Sequence, residues 1–260
     1  MTIGMSVSII APNGVTAFST ASSGTVVTVA AGPSDVVTLR GVTVSGSPTT
    51  SAGVAFNSGL ALNLENCIIN GSTIGVVFNR TGDPSKPELQ ILHCIISNSL
   101  IGLDMSNLGA LPTGHGNLRA LAVAPPSLVY ATIKDSAFLL NTYAIEARDD
   151  SNTTLAGTMI TGSSSFGVYA IGSDNHPSYV SLDGCTITRS GYGIGAGDGS
   201  GSQLAHAFVL LAHCQITGND YGIGVTPTGQ TLSQVSNSVV TNTIIANSIN
   251  GVPSGTYNAQ

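Results

Sequence analysis

The chain has 260 residues, of which 42% are hydrophobic and only 8% are charged, and its formal net charge is −6 at pH 7. This charge balance argues against nucleic acid and against an anionic membrane surface as partners. No apolar run reaches the roughly 18 residues that a membrane span requires. Gly, Ser, Thr and Asn instead separate short runs of Val, Ile and Leu, a pattern typical of many short strands.

The first residues, Met1 to Met5, lack the cationic segment and the long apolar stretch of a signal peptide. A cytoplasmic protein and an exported protein given without its export signal both fit this start. The very low Lys and Glu content favours the second interpretation, so we expect an extracytoplasmic or secreted protein.

Four cysteines occupy the same position of a repeating unit. The four copies run from Leu64 to Ile69, Ile91 to Ile96, Leu182 to Ile187 and Leu211 to Ile216. Six residues after each final isoleucine comes a glycine followed by an aliphatic residue, as in Gly75-Val76. A repeat of this length that contains only strand-forming segments predicts a solenoid.

Eight aliphatic or aromatic anchors extend the repeat, at intervals of 22 to 29 residues with one interval of 42. They are Val44, Ile69, Ile96, Phe138, Ile160, Ile187, Ile216 and Ile245. The residue three places before each anchor is always Gly, Asn, Asp or His, the types that best tolerate a left-handed backbone. We therefore expect a tight bend at Gly41, Asn66, His93, Asp135, Gly157, Gly184, His213 and Asn242.

From Val36 to Val252 these columns resemble the pectate-lyase-like superfamily, and more closely the bacterial β-helix-repeat proteins with Leu-x-x-Cys-x-Ile…Gly-Ile turns. The resemblance implies an all-β, single-stranded right-handed parallel β-helix of about eight to nine rungs. It is specific for architecture and poor for activity, since this fold hosts lyases, hydrolases, adhesins and phage spikes. We expect one domain over residues 1–260, with looser rungs over 1–35, a long loop over 104–132 and a tail over 253–260.

The cysteines and two histidines are predicted to be structural. Cys67 and Cys94 should lie on adjacent rungs, where a disulfide would strain the ladder, so buried free thiols are favoured. His93 and His213 belong to the bend column. His115 and His176 lie in loops, where either could serve as a base, although neither has a sequence neighbour that would make it one.

The most suggestive group of residues follows the Gly-aliphatic column. Strand alternation turns Leu103, Met105, Ile145, Ala147, Val168 and Ala170 inward. It turns Asp104, Ser106, Glu146, Arg148, Tyr169 and Ile171 outward, with Asp149 and Asp150 just beyond. Asp104 and Glu146 should stack on adjacent rungs as exposed carboxylates, which on this fold commonly act as acid/base pairs or calcium ligands. The other interpretation is a solvated face on which Arg148 neutralises Glu146.

The 42-residue interval places extra chain beside this patch, including His115 and Arg119. Long loops on rigid scaffolds often build binding sites. We therefore expect Tyr169, Asp149, Asp150, His115 and Arg119 to contribute to binding. The apolar segment 118–123 could equally lie against the side of the rod.

Three functional hypotheses follow. The first is a non-catalytic scaffold or recognition domain for carbohydrate or surfaces, from an exported bacterial protein. The second is a polysaccharide lyase or glycoside hydrolase that works through Asp104 and Glu146, with Arg148 as the electrostatic partner. The third is self-association through uncapped ends of the rod. No cofactor is predicted, although calcium is possible in the second case, and no metal site is expected from the cysteines.

Overall fold

The computed structural model describes residues 1–12, 14–79, 87–105, 128–172, 176–197, 205–225, 229–236 and 239–240. Within these ranges the chain forms three parallel sheets of nine strands each. The predicted all-β parallel β-helix is therefore confirmed. No helix in the described part of the chain has the length and apolar character needed to cross a membrane.

In chain order the strands are β1 (Thr2–Ile3), β2 (Val7–Ile10), β3 (Ala17–Thr20), β4 (Gly24–Ala30), β5 (Val36–Arg40), β6 (Val42–Ser45), β7 (Thr50–Ser58), β8 (Ala61–Glu65), β9 (Ile68–Asn70), β10 (Ile74–Phe78), β11 (Glu88–Leu92), β12 (Ile95–Ser97), β13 (Ile101–Met105), β14 (Val129–Lys134), β15 (Ala137–Leu139), β16 (Tyr143–Arg148), β17 (Ser151–Ala156), β18 (Met159–Thr161), β19 (Phe166–Ile171), β20 (Ser178–Asp183), β21 (Thr186–Thr188), β22 (Tyr192–Gly197), β23 (Ala205–Ala212), β24 (Gln215–Thr217), β25 (Tyr221–Val225), β26 (Gly229–Ser236) and β27 (Val239–Val240).

Each turn of the β-helix contributes one strand to each sheet. Sheet A contains β1, β4, β7 and every third strand up to β25; sheet B begins with β2 and sheet C with β3. Every strand pairs in parallel with the strand one turn before or after it, as β12 does with β9 and β15. The predicted anchor column is confirmed in sheet C from Val44 to Ile216, and Ile96, for example, lies between Ile69 and Phe138. The last predicted anchor, Ile245, is wrong, because Val240 is the residue that pairs with Ile216.

The core is a continuous column of inward-facing aliphatic side chains. Ile69, Ile96, Phe138, Ile187 and Ile216 are all fully buried in it. The predicted inward residues of sheet A also belong to this core: Leu103, Met105, Ile145, Ala147, Val168 and Ala170. Burial of these apolar side chains is the main stabilising term of the fold.

The four cysteines are free thiols in the same core, as predicted. The Cys67 amide donates to the Cys94 sulfur at 3.3 Å, and the Cys94 amide donates to the Ser136 hydroxyl at 3.0 Å. The side chains of Cys94 and Ser136 therefore each accept a backbone hydrogen bond from the preceding turn. The hydrogen bond with Cys67, followed by burial, raises the pKa of Cys94 above its ordinary value. This environment favours an unreactive neutral thiol.

The bend between sheets B and C has the left-handed backbone that the sequence predicts. The φ angles are 68° at Gly41, 51° at Asn66, 53° at His93, 48° at Asp135, 56° at Gly157, 62° at Gly184 and 54° at His213. Asn242 lies outside the described residues. The bend column is thus confirmed wherever the structure describes it.

A second left-handed bend, between sheets C and A, was not predicted. Its φ angles are 80° at Gly71, 54° at Asn98, 55° at Leu140, 73° at Gly162, 54° at Arg189 and 63° at Gly218. Leu140 and Arg189 rarely adopt this conformation, so the column carries no clear residue signature. Neighbouring side chains support the bend: Asn141 accepts from the Ser99 amide at 3.0 Å and donates to the Ile96 carbonyl at 3.1 Å.

Connection lengths differ sharply among the three edges of the rod. After the first turn, sheets B and C, and sheets C and A, are joined by short connections throughout. The connections from sheet A to sheet B vary widely, from the turn between Arg148 and Ser151 to the segment between Met105 and Val129. Variation in length is therefore concentrated along the A–B edge.

Candidate functional site

The outer face of sheet A brings the predicted carboxylates together. Asp104 pairs in register with Glu146, and Glu146 pairs with Tyr169 on the next strand. Val77 lies beside Asp104 on its other side. The predicted stacking of Asp104 and Glu146 on adjacent turns is confirmed.

The predicted exposure of this patch is wrong. Asp104 is 1% exposed and Glu146 is 3% exposed. The reason lies partly in their neighbours, which are not the polar residues of a wet sheet. On one side Ala55, Val77 and Ile101 belong to a second buried hydrophobic cluster, separate from the core. On the other side begins a stack of aromatic rings.

Arg148 is the positive partner of both carboxylates. Its Nε and Nη2 atoms donate to Oε2 of Glu146, with Nε at 3.1 Å, and its Nε lies 3.9 Å from Oδ1 of Asp104. Burial acts to lower the pKa of Arg148, but the charges of Glu146 and then Asp104 more than offset this and raise it above its ordinary value. Charge neutralisation by Arg148, the second of the two interpretations, is therefore present, but in a buried setting rather than on a solvated face.

The aromatic stack runs along the outer face of sheet A on four successive strands. Phe166 stacks on Tyr192 at 4.7 Å between ring centroids, Tyr192 on Tyr221 at 4.6 Å, and Tyr143 on Phe166 at 5.9 Å. Tyr169, predicted as a binding residue, also stacks on Phe166, at 4.4 Å. Ring faces in this stack cover one another, which leaves mainly ring edges for any ligand.

A second polar pair lies at the A–B edge, next to Arg148. Nδ1 of His176 is 2.6 Å from Oδ2 of Asp150. The Asp150 side chain is 7% exposed and that of His176 is 38% exposed. Burial raises the pKa of Asp150, an effect that the hydrogen bond and charge of His176 oppose and that the charge of Asp149 reinforces, with a net shift upward.

The sequence prediction missed His176 as a partner for a carboxylate. Asp150 precedes β17 and His176 precedes β20, so the two meet only because β17 and β20 are neighbours in sheet B. Asp149 is half-buried beside this pair. His115 and Arg119 lie outside the described residues, so their predicted binding roles stay predictions, as does Ser106's outward orientation.

Metal-binding geometry is not evident in the part of the chain that the structure describes, where no three His, Cys, Asp or Glu side chains converge. His93 and His213 both take the predicted bend conformation, and each lies beside an aspartate. His213 Nδ1 is 2.8 Å from Asp183 Oδ1, with both side chains largely exposed.

A family model for the right handed beta helix region matches residues 122–255. The chain belongs to this family. No curated protein and no solved structure matches the chain. The right-handed β-helix predicted from the repeat is therefore confirmed, and the resemblance to the pectate-lyase-like superfamily is consistent with it.

Proposed function

We propose that this β-helix is a recognition scaffold of an exported bacterial protein that binds carbohydrate or a surface and does not use Asp104 and Glu146 for catalysis. The observation that carries the proposal is the distribution of connection lengths. After the first turn, the rod keeps the connections along two edges short and places its variable connections along the third edge. Loops of this kind on a rigid support are where proteins commonly build binding sites.

The state of the carboxylates supports a structural role for them. Two carboxylates below 4% exposure, both ion-paired to Arg148, cannot reach a polymeric substrate without rearrangement. Removing one member of a buried ionic group leaves an uncompensated charge, at a cost of about 3–5 kcal/mol. Arg148→Ala is therefore expected to destabilise the β-helix, which explains the cluster without any reference to substrate.

A binding screen tests the proposal. The wild-type chain would be measured against neutral and uronate polysaccharides by affinity electrophoresis. A variant in which residues 106–128 are replaced by the short Asp149-Asp150 turn should lose binding but keep its circular dichroism spectrum. Gln215→Asp, on the exposed side of sheet C, is the matched control and should bind as the wild type does. Unchanged binding by the shortened variant would contradict the proposal.

A polysaccharide lyase or glycoside hydrolase is the second candidate, favoured by the in-register pairing of Asp104 with Glu146. The two carboxylates share one guanidinium, so the cluster has an excess of negative charge that calcium could balance. If this candidate is correct, the wild type degrades uronate or neutral polysaccharides with or without calcium, and Glu146→Gln loses that activity while remaining folded. Absence of turnover in the wild type would exclude it in favour of the first candidate.

A further inference from the structure

The pair formed by His176 and Asp150 has the arrangement of a proton-transfer site. A buried carboxylate orients the imidazole through a 2.6 Å contact, and the imidazole is itself partly exposed. Nε2 of His176 makes no hydrogen bond to any residue that the structure describes. Asp150 thus orients the ring through Nδ1, and Nε2 has no partner among the described residues. A general base needs such a nitrogen to accept a proton.

The backbone holds Asp150 firmly in place. Its φ angle is 57°, a left-handed conformation that aspartate tolerates better than most residue types. Its amide donates to the Pro177 carbonyl at 2.8 Å, and its carbonyl accepts from the Val129 amide at 2.9 Å. These two backbone hydrogen bonds fix the position of Asp150 in its turn.

The carboxylate determines which nitrogen of the ring carries the proton. When His176 is neutral, Nδ1 carries the proton and donates it to Asp150, because a carboxylate can only accept. Nε2 is then a free acceptor. Among the described residues, the charged groups next to this pair in the chain are Arg148 and Asp149, which precede Asp150. Asp174, two residues before His176, lies outside the described residues.

We propose that His176 is the general base of an ester-hydrolysing site, with Asp150 as its positioning residue and an O-acylated carbohydrate as the substrate class. Only the carbohydrate part of this proposal rests on the proposed function. The site lies on the A–B edge, where the variable connections are concentrated. A bound acylated chain would therefore lie along the same edge as the binding surface.

Ester hydrolysis suits this site better than cleavage of a glycosidic bond. Glycosidases generally need two carboxylates that act on opposite sides of the bond. The two carboxylates of sheet A are buried and paired with Arg148. Hydrolysis of an ester requires only one group that accepts a proton from water and returns it to the leaving oxygen.

Neither of the described serines next to the pair is placed to act as the nucleophile, so we assign that role to water. Ser151 and Ser178 are the serines that follow Asp150 and His176 in β17 and β20, but both are 0% exposed. The Ser178 hydroxyl donates to the Ala147 carbonyl at 2.8 Å. These hydroxyls therefore face the interior of the rod.

The proposed step is balanced in atoms and electrons. Nε2 takes a proton from water while the water oxygen forms a bond to the acyl carbon. The tetrahedral intermediate collapses as the bond from that carbon to the sugar oxygen breaks. The imidazolium returns its proton to the departing oxygen, which releases the acid and the free hydroxyl group.

The test measures p-nitrophenol release from p-nitrophenyl acetate and acetate release from acetylated xylan. His176→Gln should lower kcat by about 100-fold or more, the usual contribution of a general base. Asp150→Asn should lower kcat, because the imidazole is no longer oriented by a carboxylate. His213→Gln is the control, because His213 is an exposed histidine with a similar aspartate contact. This substitution should leave kcat unchanged.

The results of these assays either support the ester-hydrolysing site or overturn it. Activity that persists in His176→Gln, or a wild type that releases neither product, overturns the proposal. Release of p-nitrophenol without release of acetate from xylan supports the site but overturns the carbohydrate substrate. Nitrogen-15 NMR provides a readout that is independent of turnover: His176 should be the Nδ1–H tautomer in the wild type, and Asp150→Asn should change that tautomer balance.

Discussion

At the scale of single residues, position within the turn decides what a side chain does. Ile187 and Gln215 illustrate this, since they lie on adjacent strands of sheet C, one register position apart. Ile187 is 0% exposed in the core, whereas Gln215 faces solvent. Alternation along a strand of only three residues separates them.

Matched aspartate substitutions test this assignment. Ile187→Asp should unfold the β-helix or destabilise it by several kcal/mol, because it buries a charge without a partner. Gln215→Asp should change the free energy of unfolding by less than about 0.5 kcal/mol. Urea denaturation followed by circular dichroism measures both values, and similar losses in the two variants would show that the inward and outward columns are misassigned.

The buried carboxylate of Asp150 predicts a pH dependence of stability. Its pKa is raised in the folded protein, so the folded state binds the proton more tightly than the unfolded state. Its contribution to stability is therefore complete below the unfolded pKa of about 3.9 and is lost as the pH rises through the higher folded value. The Asp150→Asn variant lacks this pH-dependent contribution to stability, because its side chain does not titrate.

The measurement is the difference in unfolding free energy between the wild type and Asp150→Asn, taken from about pH 3 to pH 7. The wild type should be relatively most stable at the acidic end, and its advantage should decline with rising pH. A difference that increases with pH would mean that the charge of His176 outweighs the burial of Asp150.

At the scale of elements, sheet A explains why certain outward positions carry no side chain. A Cβ atom at Gly195 would come within 2.4 Å of the Phe166 ring and 2.9 Å of the Tyr169 ring. One at Gly224 would come within 2.7 Å of the Tyr192 ring. The aromatic stack therefore lies over the glycines of the following strand.

Gly195→Ala should destabilise the chain by about 1–3 kcal/mol, since the added methyl group forces the rings out of their stack. Gly4→Ala is the control, because its Cβ would meet no atom closer than 3.9 Å. Thermal unfolding compares the two variants. Adding Phe166→Ala to Gly195→Ala should reduce the penalty of the glycine substitution, and strict additivity of the two changes would contradict the overlap.

At the scale of the whole molecule, apolar side chains are exposed beside the outermost described strands of the rod. Strands β1, β2 and β3 each occupy the end of a sheet. Large apolar side chains are exposed in the same region, including Met5 at 69% and Phe18 at 67%. Unpaired backbone groups beside exposed apolar residues are a template for association.

We therefore expect the 260-residue chain to self-associate in a concentration-dependent way, as light scattering coupled to size-exclusion chromatography would detect. Phe18→Lys should reduce the association, because a charge on an edge strand opposes pairing. Leu210→Lys, at an exposed apolar position of a strand in the body of the rod, is the control and should leave it unchanged. A monomer at every concentration would contradict the expectation.

The coil of the chain and the identity of its core columns could be read from the repeat alone. Ile69, Ile96 and Phe138 could be aligned by counting, because a solenoid converts a repeat into contact between neighbouring turns. The bend at Asn66 and His93 was predictable for a local reason, the tolerance of these residue types for a left-handed backbone. Leu140 and Arg189 have no preference for a left-handed backbone, so the sequence did not predict the second bend.

The environment of the polar residues depends on tertiary contacts that the repeat does not specify. Asp104 and Glu146 are in the predicted register, yet their burial depends on the apolar and aromatic residues of other turns. His176 and Asp150 meet across the A–B edge, where connection lengths vary and counting from the anchors does not align one turn with the next. Periodicity specifies the strands because it is local, whereas solvent exposure and pairing along an irregular edge depend on the whole fold.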